Sequence, residues 1–128
     1  MNRQIIITAA LFGMIAVIAG AFGAHALKAL LTAQQLEVWH TAVQYQFYHV
    51  FALLFLSTFA RPNSRLIKSC YYLFTFGIIF FSGSLYLMAC YDLIGWGDLM
   101  MLGPVTPLGG FLFILGWFML AIAAIRNK

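Results

Sequence analysis

Six side chains that can donate, accept or exchange protons lie close together in one otherwise apolar stretch of this chain. They are Glu37, His40, Tyr45, Gln46, Tyr48 and His49. His49 falls near the midplane of a predicted membrane span, where an ionisable side chain marks a candidate functional site. Two interpretations stay open. Either His49 is a neutral histidine hydrogen-bonded to a neighbouring helix, or it lines a wet path with Gln46 and Tyr45 for a small molecule or ion.

The same stretch has a polar arc when it is drawn as a helix. At about 100° per residue, this arc contains Glu37, Thr41, Gln44 and Tyr48. An unsatisfied polar group in hydrocarbon costs several kcal/mol, so we expect the arc to point into the protein. The opposite face suits contact with lipid and presents Trp39, Val43, Phe47 and Val50.

Two histidines are candidates for a haem or metal site. His25 ends the first apolar stretch and His40 begins the second, and consecutive antiparallel helices share that end. Paired imidazoles are the ligands of a b-type haem or a transition metal. The sequence has neither a Cys-x-x-Cys-His nor a His-Glu-x-x-His motif. A haem-bearing redox protein is therefore the least favoured class, and we predict no metal and no cofactor.

Three hydroxyl side chains complete the candidate polar cluster. Ser82 and Ser84 occur in a string that lacks the Gly-x-Ser-x-Gly nucleophile elbow. Thr106 lies between Pro104 and Pro107, whose missing N–H donors leave backbone groups that a hydroxyl can satisfy. Because no catalytic motif is complete, we predict that the protein is not an enzyme.

The elements that position these residues are predicted to be membrane-spanning helices. The chain is 64% hydrophobic and only 8% charged, which excludes an ordinary soluble domain. A span needs about 20 apolar residues. The pattern predicts one all-α domain over residues 1–128, an integral membrane four-helix bundle with helices at about 5–27, 32–60, 69–91 and 104–125. Thr32 and Gln35 predict a capping box at the start of the second helix.

The basic residues predict the orientation of these helices. One side of the predicted membrane holds Arg3, Arg61, Arg65, Lys68, Arg126 and Lys128, and the other holds Lys28. Because Lys and Arg accumulate on the cytoplasmic side, both termini are predicted to be cytoplasmic. The positive charges are dispersed at helix ends, so the expected partner is the lipid bilayer and not a nucleic acid.

Small residues recur at helical spacing in three of the predicted spans, and in the third span these are Gly77 and Ser84, seven residues apart. The candidate packing glycines are Gly13, Gly20, Gly23, Gly77, Gly83, Gly109 and Gly116. Small residues allow two helix backbones to approach closely, so these positions predict packing seams within the bundle. Spacing alone does not separate such seams from contacts in a homo-oligomer.

Four strings in the chain together resemble a known family. They are Gly20-Ala-Phe-Gly-Ala-His-Ala-Leu27, Trp39-His-Thr-Ala-Val-Gln-Tyr-Gln-Phe-Tyr-His49, Phe81-Ser-Gly-Ser-Leu-Tyr86 and Gly103-Pro-Val-Thr-Pro-Leu-Gly-Gly110. The resemblance is to domain-of-unknown-function family 423, small multi-pass inner-membrane proteins of bacteria, similar also to the animal transmembrane protein 256. It implies a four-span protein of the bacterial cytoplasmic (inner) membrane. It implies no activity and supplies no catalytic residue.

The sequence favours a structural or accessory membrane protein that packs with itself or with a larger membrane-protein partner. Small size, glycine seams and the missing catalytic motifs all suit this class. The alternative is a small transport or binding unit with its polar path on helix 2, and it requires His49 to be wet.

Overall fold

The computed structural model describes residues 1–59, 61, 64–95 and 100–126, and within these residues the chain is helical and has no strand. The helices are α1 (Asn2–Ala24), α2 (Ala33–Leu56), α3 (Arg65–Gly77), α4 (Gly83–Ala89), α5 (Tyr91–Ile94) and α6 (Val105–Arg126). A π-helical segment, Ile78–Ser82, joins α3 to α4 without a break, and short 3₁₀ turns occupy Leu27–Ala29 and Met100–Leu102.

Three helical segments are long and apolar enough to cross a membrane: α1, the continuous Arg65–Ala89 segment, and α6. Helix α2 has the length, at 24 residues, but is not among these segments. Its middle carries Gln44, Gln46 and His49, which lower its apolarity. Among the described residues the structure therefore confirms the all-helical class and has three membrane-capable segments, one fewer than the four predicted spans.

Local hydrogen bonds explain where α2 and α3 begin. Thr32 accepts a hydrogen bond from the Gln35 N–H, and the Gln35 side chain accepts one from the Thr32 N–H, which confirms the predicted capping box. Helix α3 begins at Arg65, earlier than the predicted start at residue 69. It begins there because the Ser64 hydroxyl accepts a hydrogen bond from the Ile67 N–H. The first turn of α3 therefore includes Arg65 and Lys68.

The remaining helix ends also differ from the predicted ones. Helix α1 covers residues 2–24 instead of 5–27, since the chain leaves helical geometry at His25 and makes a separate 3₁₀ turn. Helix α2 ends at Leu56, where the hydroxyls of Ser57 and Thr58 donate to carbonyls in its last turn. The predicted end at residue 60 lies outside the described residues. Helix α6 starts at Val105, one residue after the predicted start.

Neighbouring helical segments pack antiparallel. Gly13 of α1 faces Val50 of α2, and Gly20 faces Val43, so the numbers rise along one helix as they fall along the other. The Arg65–Ala89 segment and α6 are related in the same way through the pairs described below. The buried apolar core draws on all of these segments and includes Ile5, Ala9, Val50, Leu53, Leu56, Cys70, Phe74, Ile78, Phe113 and Leu120.

Four of the seven predicted packing glycines lie at contacts too close for a side chain. A Cβ would come within 3.0 Å of the Trp39 ring at Gly23, the Phe113 ring at Gly77, the Phe81 backbone at Gly109 and the Phe74 ring at Gly116. At Gly13 and Gly20 a Cβ would make ordinary contacts of 3.5 and 3.7 Å, and at Gly83 it would meet nothing within 4 Å. The close seams are therefore between α1 and α2 and between the Arg65–Ala89 segment and α6.

Candidate functional site

Four polar residues of the predicted cluster are buried in the structure: Gln46, His49, Ser82 and Ser84. They lie on α2, on the π segment and on α4, and each makes a hydrogen bond within the chain. A buried polar group without a partner is costly, so the position of each partner shows what holds the side chain in place.

His49 is the most enclosed ionisable side chain of the cluster, at 3% exposure. Its Nδ1 lies 2.7 Å from the Tyr45 carbonyl oxygen, and the Trp117 Nε1–H of α6 donates to its Nε2 at 3.1 Å. A carbonyl only accepts and an indole N–H only donates. The two partners therefore assign the hydrogen to Nδ1 and make His49 a neutral imidazole with both nitrogens engaged.

The faces of the His49 ring are also occupied. The Phe113 ring stacks on it with a centroid separation of 3.5 Å and an angle of 6°. Gly77 makes room for Phe113, since a Cβ at Gly77 would lie 2.5 Å from that ring. Gly77 of α3 thus allows the Phe113 ring of α6 to cover His49 of α2.

Gln46 joins three helices through both ends of its amide. Its Nε2 donates to the Phe12 carbonyl of α1 at 2.8 Å, and its Oε1 accepts from the Tyr86 hydroxyl of α4 at 2.7 Å. The Tyr86 ring also packs against Trp39, with ring centroids 4.6 Å apart. These contacts fix the rotation of α2 relative to its neighbours.

The hydroxyl residues of the cluster bond to backbone or to one another. Ser82, on the π segment, donates to the Ala42 carbonyl of α2 at 2.8 Å. Ser84 donates to the Phe81 carbonyl at 2.9 Å and lies 2.5 Å from the Thr106 hydroxyl of α6. Either hydroxyl can donate in the second bond, and the Thr106 hydroxyl also lies 3.7 Å from the Met88 sulfur.

The predicted inward arc of α2 was wrong. Glu37, Gln44 and Tyr48 are exposed on the outside of the molecule, and Thr41 is partly exposed. The periodicity correctly predicted a polar face on α2, but periodicity alone does not show whether that face lies inside the protein or on its surface. We call Glu37, His40, Thr41, Gln44 and Tyr48 the outer polar face of α2.

The face of α2 that was predicted to meet lipid packs against α1. Trp39 donates its indole N–H to the Ala19 carbonyl at 2.8 Å, and Val50 is buried at 4% exposure. Val43 lies opposite Gly20, where α1 has no side chain. Large side chains of α2 fill the space that the small residues of α1 leave, and this fit decides the rotation of the helix.

The remaining residues of the predicted cluster do not join the interior site. His25 and His40 are exposed, and Tyr45 is 39% exposed. In the part of the chain that the structure describes, no group of three or more His, Cys, Asp or Glu side chains is placed to hold a metal ion. The histidine pair thus gains no further ligand from these residues.

Sequence reasoning missed Trp117, which supplies the partner of His49. A signal for it exists, since Trp117 falls in the middle of α6, and an indole N–H at membrane depth needs an acceptor. It also missed the bond between the Thr8 hydroxyl and the Tyr71 hydroxyl, 2.9 Å apart. Both are contacts between distant parts of the chain, which local patterns do not reveal.

The hydrogen-bonding atoms of the interior site are directed at partners within the chain. His49 has no free nitrogen to act as a base, and the buried serine hydroxyls are directed at carbonyls. A groove of about 470 Å³ opens beside this region and is lined largely by apolar and aromatic residues of α6, with Tyr45 and Phe81 opposite them.

Comparison with known proteins places the chain in a family. The family described as "Protein of unknown function (DUF423)" matches residues 19–110. A UPF0382 membrane protein of Staphylococcus saprophyticus is 43% identical over 124 residues, 97% of this chain and 98% of that protein. The UPF0382 membrane protein YwdK of Bacillus subtilis is 38% identical over 126 residues, with 97% and 98% covered. No solved structure matches the chain. It follows that this chain is a membrane protein of the DUF423 family of unknown function.

Proposed function

We propose that the protein is a structural or accessory component of the bacterial cytoplasmic (inner) membrane that assembles with a second copy of itself through the outer polar face of α2. In this proposal α2 is the fourth span of a four-helix bundle whose termini are both cytoplasmic. The observation that carries it is the exposure of Gln44 and Tyr48 on α2.

The depth of Gln44 makes its exposure significant. Helix α2 has 24 residues and is therefore about 36 Å long, and Gln44 is its twelfth residue. If α2 crosses the bilayer, the Gln44 amide lies near the midplane. Among the described residues, none forms a hydrogen bond with the side chain of Gln44 or Tyr48. In hydrocarbon an unpaired polar group costs several kcal/mol, so a protein surface is a better neighbour than lipid.

The chemistry of this face suits a second copy. A glutamine amide both donates and accepts, so two Gln44 side chains related by a twofold axis satisfy one another reciprocally. The Tyr48 hydroxyl has the same property. Nearer the start of α2 the face carries Glu37 and His40, which are able to pair across the same axis.

The alternative of a polar path through α2 receives less support. That function requires water at His49, whereas the ring is 3% exposed, covered by Phe113 and hydrogen-bonded at both nitrogens. The hydrogen bonds that Gln46 and His49 make within the chain favour a structural role over transport or enzymatic activity.

A photo-crosslinking amino acid placed at Gln44 tests the assembly. The expected product in native membranes is a dimer of the 14.3 kDa chain, whereas the same label at Val17, which is 60% exposed on α1, gives lipid adducts. In purified protein, Gln44→Leu is expected to weaken dimerisation about 3-fold to 20-fold, because interhelical hydrogen bonds in membranes contribute about 0.6–1.7 kcal/mol. Lipid adducts alone at both positions would exclude the second copy, and an adduct with a different protein would replace it with that partner.

The orientation has a separate test. In a background with Cys70→Ser and Cys90→Ser, which removes the two free cysteines of the chain, a membrane-impermeant maleimide applied to intact cells is expected to label Lys28→Cys and to leave Arg65→Cys unlabelled. The opposite pattern would reverse the proposed topology.

A further inference from the structure

A cavity of about 190 Å³ lies at the end of the molecule where α3 begins and α6 ends. Three parts of the chain enclose it: the segment after α2, the first turn of α3 and the last turns of α6. Its lining consists of Arg61, Ser64, Leu66, Ile67, Ala123 and Arg126. None of these lining residues makes a hydrogen bond to Gln46, His49, Ser82 or Ser84, so the cavity is distinct from the site around His49.

The cavity is positively charged. Arg61 and Arg126 come from different segments, and the described residues of the lining include neither Asp nor Glu. Two described acidic residues, Glu37 and Asp92, belong to the opposite end, where Asp92 accepts a hydrogen bond from Gln35 at the start of α2. Like charges around one space repel each other, and an anion bound between them offsets that repulsion.

The donors of the cavity suit a phosphate group. A guanidinium presents a planar set of N–H donors that matches phosphate oxygens, often two at a time. The Ser64 oxygen accepts from the Ile67 N–H, which leaves its own hydroxyl hydrogen free to donate. Two arginines and one serine from different elements therefore line a space large enough for a phosphate.

The apolar part of the lining favours a phosphate that belongs to a lipid. Leu66, Ile67 and Ala123 provide a surface for the glycerol and upper acyl carbons beside the charged residues. The cavity also lies at the ends of two membrane-capable segments, Arg65–Ala89 and α6, which is the depth of lipid headgroups. A soluble phosphate needs neither of these features.

We propose that this cavity binds the phosphate of an anionic phospholipid headgroup. Arg61 and Arg126 hold the phosphate, Ser64 donates to it, and the apolar lining contacts the lipid backbone. The site ties the start of α3 to the end of α6 through a molecule of the bilayer itself. The inference does not depend on the proposed dimer, because no residue of the outer polar face takes part.

Native mass spectrometry of the full-length protein in mild detergent tests this site, with phosphatidylglycerol and phosphatidylcholine as probes. We expect retained phosphatidylglycerol adducts that fall about fivefold with either Arg61→Gln or Arg126→Gln, since each basic residue near a membrane surface contributes about 1 kcal/mol. The double variant is expected to lose about 25-fold. Arg3→Gln is the matched control, because Arg3 is an exposed basic residue near the N-terminus that does not line the cavity.

Three outcomes would overturn the proposal: equal retention of phosphatidylcholine, unchanged binding in the double variant, and an equal loss with Arg3→Gln. A competition with millimolar inorganic phosphate distinguishes a lipid phosphate from free phosphate as the ligand. Full displacement of the lipid by inorganic phosphate would assign the cavity to the free anion. If the double variant fails to fold, as judged by far-UV circular dichroism, the preference of the unmodified protein between the two lipids still decides the question.

Discussion

Replacing Gly109 by alanine is expected to separate the two most closely packed segments of the molecule. A Cβ at this position would lie 2.3 Å from the Phe81 nitrogen and 2.7 Å from the Phe81 Cα. Ordinary contacts between such atoms are at about 3.5 Å, so α6 has to move away from Phe81 by about 1 Å. A backbone atom has no rotamer by which to avoid the new methyl group. The strain is therefore distributed over the whole contact between α6 and the Arg65–Ala89 segment.

Gly83→Ala provides the matched control. Gly83 is also inside a helix, and a Cβ there would meet nothing within 4 Å. Both substitutions gain the same intrinsic helix propensity, at most about 1 kcal/mol. The difference between the two variants therefore isolates the steric effect, which for overpacked sites is about 1–3 kcal/mol. Gly109→Ala should unfold more readily than the unmodified protein, and Gly83→Ala should be as stable or slightly more stable.

Titration with sodium dodecyl sulfate in mixed micelles, followed by far-UV circular dichroism, measures this difference. The expected order of midpoints is Gly83→Ala at or above the unmodified protein and Gly109→Ala clearly below it. Gly116→Ala should fall between the two variants, because its new Cβ would meet the edge of the Phe74 ring, 2.6 Å away, and not a backbone. Coincident curves for Gly109→Ala and Gly83→Ala would refute the close seam between the π segment and α6 and the register that it defines.

The other interior contacts give three further predictions for the same titration. A double-mutant cycle with His49→Leu and Trp117→Phe should yield a coupling of about 0.6–1.7 kcal/mol, as for other membrane hydrogen bonds, and additive effects would contradict the 3.1 Å contact. Trp39→Phe should lower stability by about 1 kcal/mol, because it removes the bond to the Ala19 carbonyl; no change would place the indole at the lipid surface instead. Tyr86→Phe should be destabilising by a similar amount, since it leaves a buried amide oxygen unpaired, and a neutral effect would argue against the three-helix junction.

The parts of the fold that follow from local sequence could be predicted. Membrane character follows from the length and apolarity of the helices, and three such segments are present. The start of α2 follows from Thr32 and Gln35, whose side chains bond to backbone only three residues away. The start of α3 has the same local physics, since Ser64 caps the helix through a hydrogen bond to a backbone group three residues away.

The rotation of α2 could not be predicted from its own sequence. The hydrophobic effect does not distinguish a protein interior from lipid, so it does not fix which apolar face of a membrane helix turns inward. Shape and hydrogen bonding decide instead, through the fit of Trp39 and Val50 against α1 and the partners of Gln46 on two other helices. These contacts join residues 20 to 40 positions apart, beyond the reach of periodicity.

Helix α2 is polar on two faces, of which one is buried within the chain and the other is exposed. On the inner face Gln46 bonds through both amide heteroatoms and His49 through both ring nitrogens, which lowers the cost of placing them among apolar helices. On the outer face Gln44 and Tyr48 are exposed. The same two-sided polarity explains why α2 is not among the segments apolar enough to span a membrane by themselves. A helix of this kind is stable in a bilayer only when protein covers both faces. The folded chain supplies that cover on one side, and we infer that a second copy supplies it on the other.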